Sequence, residues 1–91
     1  MARDDIEWVR KDSEGEKIEV KAHQIRERWD FYWRPGRHYG WEKLEAPLLD
    51  DWMEVLSGVV RRVNRRQYPL DEPNKVKKQI RERFPGTKFE A

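Results

Sequence analysis

Trp29-Asp30-Phe31-Tyr32-Trp33-Arg34-Pro35-Gly36-Arg37-His38-Tyr39-Gly40-Trp41 contains three of the chain's five tryptophans, one of its three phenylalanines and two of its three tyrosines. Trp29, Phe31 and Trp33 alternate with Asp30, Tyr32 and Arg34, the period of two that a half-buried strand requires. A Pro-Gly pair follows, then a second aromatic run through Tyr39 and Trp41. The pattern predicts an antiparallel aromatic hairpin. Arg34 to Arg37 suits a type II turn, with Pro35 at its second position and Gly36 at its third. A two-residue Pro-Gly loop would twist its strands the wrong way and would put Tyr39 and Trp41 on the face opposite Trp33. A longer loop over 34–38 pairs Trp33 with Tyr39 and Phe31 with Trp41, gathering the rings on one face. Strands are therefore expected at about 26–34 and 38–44.

Upstream, Ile6-Glu7-Trp8-Val9-Arg10 and Lys17-Ile18-Glu19-Val20-Lys21-Ala22 read as strands, at about 5–11 and 17–23. The turn between them, Asp12 to Glu16, contains Gly15, which is free to take a positive φ. A three-residue loop of Ser13, Glu14 and Gly15 places Trp8 opposite Val20 and Ile6 opposite Ala22 on one face. Turn chemistry and hydrophobic pattern select the same register, although two acids then meet at the loop mouth. The stretch 22–33 is ambiguous. Ile25, Trp29 and Tyr32 or Trp33 also fit helical spacing, but the strict alternation and the density of rings favour a strand from about Arg26.

Downstream, Leu48, Leu49, Trp52, Leu56, Val59, Val60 and Val63 recur at spacings of three and four. They predict a helix over 47–66 with Pro47 at its first position. Asp50 and Asp51 lie early in it and four arginines late, the sense that complements the helix dipole. Gly58 costs this helix about 1 kcal/mol relative to alanine. A second helix over 73–84 is signalled by Asp71 or Glu72 ahead of Pro73 and by the narrow stripe Val76, Ile80, Phe84. Pro85-Gly86 ends it, and 85–91 reads as a loose tail. Strands followed by helices indicate an α+β fold: an antiparallel β-meander of about four strands, then two helices packed on one face of the sheet. All 91 residues form one small domain on this reading, with the five tryptophans meeting at the junction.

Composition agrees with a folded chain. Charged residues are 42% of the total, against about 25% in ordinary globular domains, yet the net charge is only +2 and 12% of residues are aromatic. Disordered chains combine high net charge with few rings. Charge is unevenly placed: residues 61–91 hold ten bases and four acids, whereas 44–60 hold four acids and no base. Without cysteine there is neither a disulfide framework nor a thiolate metal site. No segment approaches the roughly 20 apolar residues of a membrane span, and the N-terminal residues lack the apolar core of a secretory signal. The expectation is a soluble, cytoplasmic protein.

Chemistry-bearing motifs are scarce. Ser13, Ser57 and Thr87 sit in a turn, a helix and a tail, none beside an oriented base. His23 and His38, even with Asp30 or Glu42, lack the spacing of a zinc site. Gly36 and Gly40 lie between strands rather than ahead of a helix and make no phosphate loop. No catalytic residue, metal or cofactor is expected. Two surfaces remain. Arg61, Arg62, Arg65 and Arg66 form two like-charge pairs one turn apart and exceed what the dipole requires. With Lys75 and Lys78 of the next helix they suggest phosphate or acidic-partner binding, unless carboxylates of the first hairpin neutralise them. The outer face of the aromatic strand, with Arg26, Arg28, Tyr32 and Arg34 beside Arg37 and His38, interleaves base and ring as single-strand binders do. The sequence reading is a non-enzymatic binding domain for nucleic acid or an acidic protein. Its competitor is a protein-interaction module or homodimer using the aromatic sheet or an exposed strand edge.

Overall fold

The computed structural model describes residues 5–26 and 28–89. The elements are β1 (Ile6–Lys11), β2 (Lys17–Ile25), β3 (Arg28–Arg34), β4 (Glu42–Lys43), α1 (Leu49–Asn64) and α2 (Glu72–Arg83). This is the α+β order expected: a four-stranded antiparallel sheet in the order β1-β2-β3-β4, then two helices. The described residues fall into two compact units divided between Pro47 and Leu48, one containing the sheet and the other the helices.

The first hairpin has the register read from the sequence, Trp8 opposite Val20 and Ile6 opposite Ala22. Asp12 N donates to Glu16 O at 2.9 Å, and Gly15 takes φ +84°. The acid at the loop mouth is put to use. Asp12 Oδ1 accepts from the backbone N–H groups of Glu14 and Glu16, each at 2.9 Å, offering the loop a side-chain turn of the kind aspartate favours.

The stretch 22–33 is strand rather than helix, but its turn lies elsewhere than expected. β2 continues to Ile25, which pairs with Arg28, so the connection has two residues and Arg26 takes φ +59°. Two-residue hairpins need positive φ to match the strands' twist. Arg26 therefore belongs to a turn, not to β3, a correction to the predicted start. Arginine carries no turn signature, which is why the sequence reads on as strand there.

One face of the sheet is buried. Ile6, Ile18, Val20, Ala22, Trp29 and Phe31 are each 5% exposed or less, and all have the parity expected of the inner side. Trp8 and Phe31 meet edge-to-face across β2, with centroids 6.3 Å apart and planes at 74°. The small Ala22 between Ile6 and Phe31 leaves room for that contact.

The β3–β4 register corrects the sequence reading. Trp33 pairs with Glu42 and Tyr32 with Lys43, not Trp33 with Tyr39. Leu44, not Trp41, reaches Phe31, its N–H donating to Phe31 O at 2.8 Å. The expected type II turn is absent: Gly36 has no positive φ, and the turn bond runs from Tyr39 N to Gly36 O at 3.0 Å. The register moves by three residues, an odd number, so every side chain of the second run changes face. Tyr39 is exposed, and Trp41 stands on the outer face beside Arg34 and Lys21. Trp41 therefore does not join Trp29 on the buried face of the sheet. β4 is two residues long, far shorter than the expected 38–44.

In the helical unit, α1 begins after Leu48, whose extended backbone (φ −79°, ψ 163°) makes it the N-cap. Pro47 is thus not the first helical residue. Asp51 sets the boundary, its Oδ2 accepting from Leu48 N at 2.9 Å, the reach-back half of a capping box. Trp52, Val55, Leu56 and Val59 form the buried stripe, whereas Leu48 and Val60 of the predicted stripe are exposed. In α2, Val76 and Ile80 are fully buried. The segment after it is not loose through Phe89, because Lys77 and Arg81 lie 5.6 and 4.8 Å from the Phe89 ring centroid.

Two predictions test these assignments. Asp12→Ala is expected to cost about 1 kcal/mol in urea unfolding, while Asp12→Asn, which keeps the acceptor, retains most of the stability. Trp29→Ala is expected to cost about 3–5 kcal/mol as a core truncation. Trp41→Ala should cost only about 1 kcal/mol, the loss of surface cation–π contacts; equal losses at both sites would favour the register with Trp41 inside.

Candidate functional site

The end of α1 is a hydrogen-bonded stop. Arg65 is the C-cap, and Arg66 takes φ +63°. Gln67 N donates to Arg62 O and Arg66 N to Val63 O, both at 2.8 Å, the paired bonds of a Schellman motif. Glycine ordinarily occupies the left-handed position because it has no Cβ to clash. Here an arginine does, which turns the last two arginines of the cluster off the helical path.

The four arginines have separate local arrangements. Arg61 Nη1 donates to Ser57 Oγ at 2.9 Å, and Arg62 Nη1 to Gly58 O at 3.2 Å. Arg61, Arg65 and Arg66 are exposed and have no carboxylate partner among the described residues. On α2, Lys75 and Lys78 are exposed. Arg83 instead stacks over Trp52, its Cζ 4.8 Å from the ring centroid, so its charge is partly given to packing.

The second predicted surface is only partly assembled. Arg28, Tyr32 and Arg34 share the outer face of β3. Arg26 lies in the β2–β3 turn, and Arg37 and His38 are exposed in the loop before β4. The sequence missed Lys21, Trp41 and Lys43, which the pairing brings onto this face. Lys21 and Lys43 flank Tyr32 in the ladder, and the Arg34 guanidinium lies 4.2 Å from the Trp41 ring centroid.

Unlike the arginine cluster, this face is charge-paired. Arg34 Nε is 2.7 Å from Glu19 Oε1, directly across the ladder. Arg28 Nε lies 3.2 Å and Lys43 Nζ 3.9 Å from Asp30 Oδ1, so buried Asp30 has two cationic neighbours. Lys21 Nζ is 3.7 Å from Asp5 Oδ2, and His23 Nδ1 is 2.5 Å from Asp5 Oδ1. Four lysine and arginine side chains, together with His23, thus share three carboxylates, and the field of this face is largely cancelled at short range.

Among the described residues no group of three or more His, Asp or Glu side chains could hold a metal ion, and no helix is long and apolar enough to cross a membrane. The conformation of Arg66 yields a prediction. Arg66→Gly is expected to raise stability by up to about 1 kcal/mol in thermal or urea unfolding, by relieving the left-handed backbone. A loss of stability would mean that the arginine side chain contributes more than its backbone costs.

Comparison of the chain with protein-family models, with characterised proteins and with solved structures returns no match.

Proposed function

We propose that the chain is a non-enzymatic binding domain that engages nucleic acid through its phosphates, using the arginines at the end of α1. The observation that carries this reading is the exposure of Arg61, Arg65 and Arg66 without a carboxylate partner among the described residues. Unpaired guanidinium groups retain their full field and forked donors, which match phosphate oxygens. The ion-paired outer face of the sheet would have to break its own bridges first. Arginine in the left-handed position at Arg66 supports the same reading, because a charge is presented where glycine would be the stabler choice. Such contacts give affinity that falls steeply with salt and has little sequence preference. Lys75 and Lys78 would extend the basic surface.

A second reading, strand addition by another protein chain, draws on β1. It is an edge strand of the sheet, and its Val9 is 55% exposed. It ranks lower because the edge is blunted. Arg10 Nη1 donates to Lys11 O at 3.0 Å, and charged side chains discourage edge pairing.

The test is a gel-shift titration with single- and double-stranded nucleic acid at two salt concentrations. Arg61→Ala combined with Arg65→Ala is expected to weaken binding to all sequences alike. It should also reduce the slope of log affinity against log salt by up to about two. Binding unchanged in the double variant overturns the assignment.

A further inference from the structure

The outer face of the sheet carries a recess of about 310 Å³ lined by Asp5, Lys21, His23, Tyr32 and Trp41. Its geometry is centred on a cation. Lys21 Nζ lies 4.6 Å from the Trp41 ring centroid, 5.8 Å from that of Tyr32 and 3.7 Å from Asp5 Oδ2. Two ring faces and a carboxylate around one positive charge are the elements of an aromatic cage. We propose that this recess is a recognition site for a methylated ammonium head group, and that Lys21 occupies it as an internal stand-in. The proposal does not depend on the arginine surface of α1.

Lys21 is an imperfect occupant. A primary ammonium is compact and strongly hydrated, and at 5.8 Å it stands near the outer limit, about 6 Å, at which a ring attracts a cation. A trimethylated ammonium is larger and has no N–H to hydrate, so it loses less on leaving water and fills more of the space. The carboxylate it would meet is already oriented, because His23 Nδ1 holds Asp5 Oδ1 at 2.5 Å. The lysine it displaces has a flexible four-carbon stem and a second carboxylate in reach of its own strand ladder: exposed Glu7 is directly across from it on β1.

An anionic ligand fits less well. Asp5 lines the recess, and the neighbouring cations Arg34 and Lys43 are paired with Glu19 and Asp30. A phosphate would meet a carboxylate and would compete with existing bridges for Lys21, His23, Arg34 and Lys43.

The experiment is a titration of the full chain with tetramethylammonium chloride, followed by the indole N–H resonance of Trp41. Sodium chloride at equal ionic strength and sodium phosphate serve as comparisons. A saturable shift at Trp41 is expected with tetramethylammonium only. Lys21→Gln, which removes the stand-in, should tighten binding about tenfold, the scale of one partly desolvated cation–π contact. Trp41→Ala, followed at Tyr32, should lose it. An unchanged Trp29 indole resonance establishes in each variant that the fold is intact. Choline and a peptide bearing trimethyllysine separate a free small molecule from a modified protein tail, the tighter of the two identifying the source. Absence of a saturable shift in both the wild type and Lys21→Gln overturns the proposal. So does a shift with phosphate that Lys21→Gln abolishes, which would assign an anion site.

Discussion

The register of β2 against its two neighbours is the constraint on which the sheet depends. β2 is paired on both sides, and its side chains alternate strictly: Ile18, Val20 and Ala22 on the buried side, Glu19, Lys21 and His23 on the other. A slip of one residue would exchange these sets and bury three polar or charged groups without partners. Val20 and Ala22 are small enough for the rings of β1 and β3 to meet above them, which is how Trp8 reaches Phe31. The buried face is therefore an aromatic layer laid over a floor of small aliphatic residues.

The same alternation creates the opposite surface. Glu19 faces Arg34 and His23 faces Asp30 as cross-strand neighbours, so opposite charges or hydrogen-bonding groups adjoin along the ladder, a stabilising arrangement on a sheet. Exposed ion pairs contribute little individually. Their larger effect here is on recognition, because a face whose bases are held by acids offers little net field to a polyanion. Rings become its distinguishing feature, with Trp41 and Tyr32 around the Lys21 ammonium.

The helical unit has a different electrostatic character. α1 places Asp50 and Asp51 in its first turn and arginines in its last, in accord with its dipole. Beyond that last turn, Arg65 and Arg66 continue the positive charge into the Schellman stop. Charge near a helix C-terminus is ordinarily accounted for by the dipole and the terminal carbonyls. Here the terminal carbonyls of Arg62 and Val63 are already taken by the backbone N–H groups of Gln67 and Arg66, so capping those two carbonyls does not require the guanidinium groups of Arg65 and Arg66.

What the sequence by itself determined is whatever depends on local chemistry and on parity within one strand. The first hairpin belongs to this class, since the turn with Gly15 and the alternation of Ile6, Trp8, Val20 and Ala22 select one pairing, whereas the hydrogen bonds that Asp12 accepts became visible only in the structure. So do the strand nature of 28–34, the two helices and the clustering of Arg61 to Arg66. Tertiary structure decided the rest. The β2–β3 turn has no glycine, asparagine or proline at Arg26, so nothing local marks it, and the pairing of Ile25 with Arg28 imposes the left-handed backbone instead. The face taken by Trp41 was likewise undetermined locally. The connection between Trp33 and Glu42 spans residues 34–41, longer than Pro-Gly turn chemistry signals, and a change of three residues reverses the face of every ring beyond it. The hydrophobicity of tryptophan argued for the inside. Leu44 fills the position beside Phe31, while Trp41 gains Arg34 and Lys21 as partners outside. The recess around Lys21 could not be read in advance for that reason: its residues come from the stretch before β1, from β2, from β3 and from the loop before β4, and only the pairing of strands brings them together.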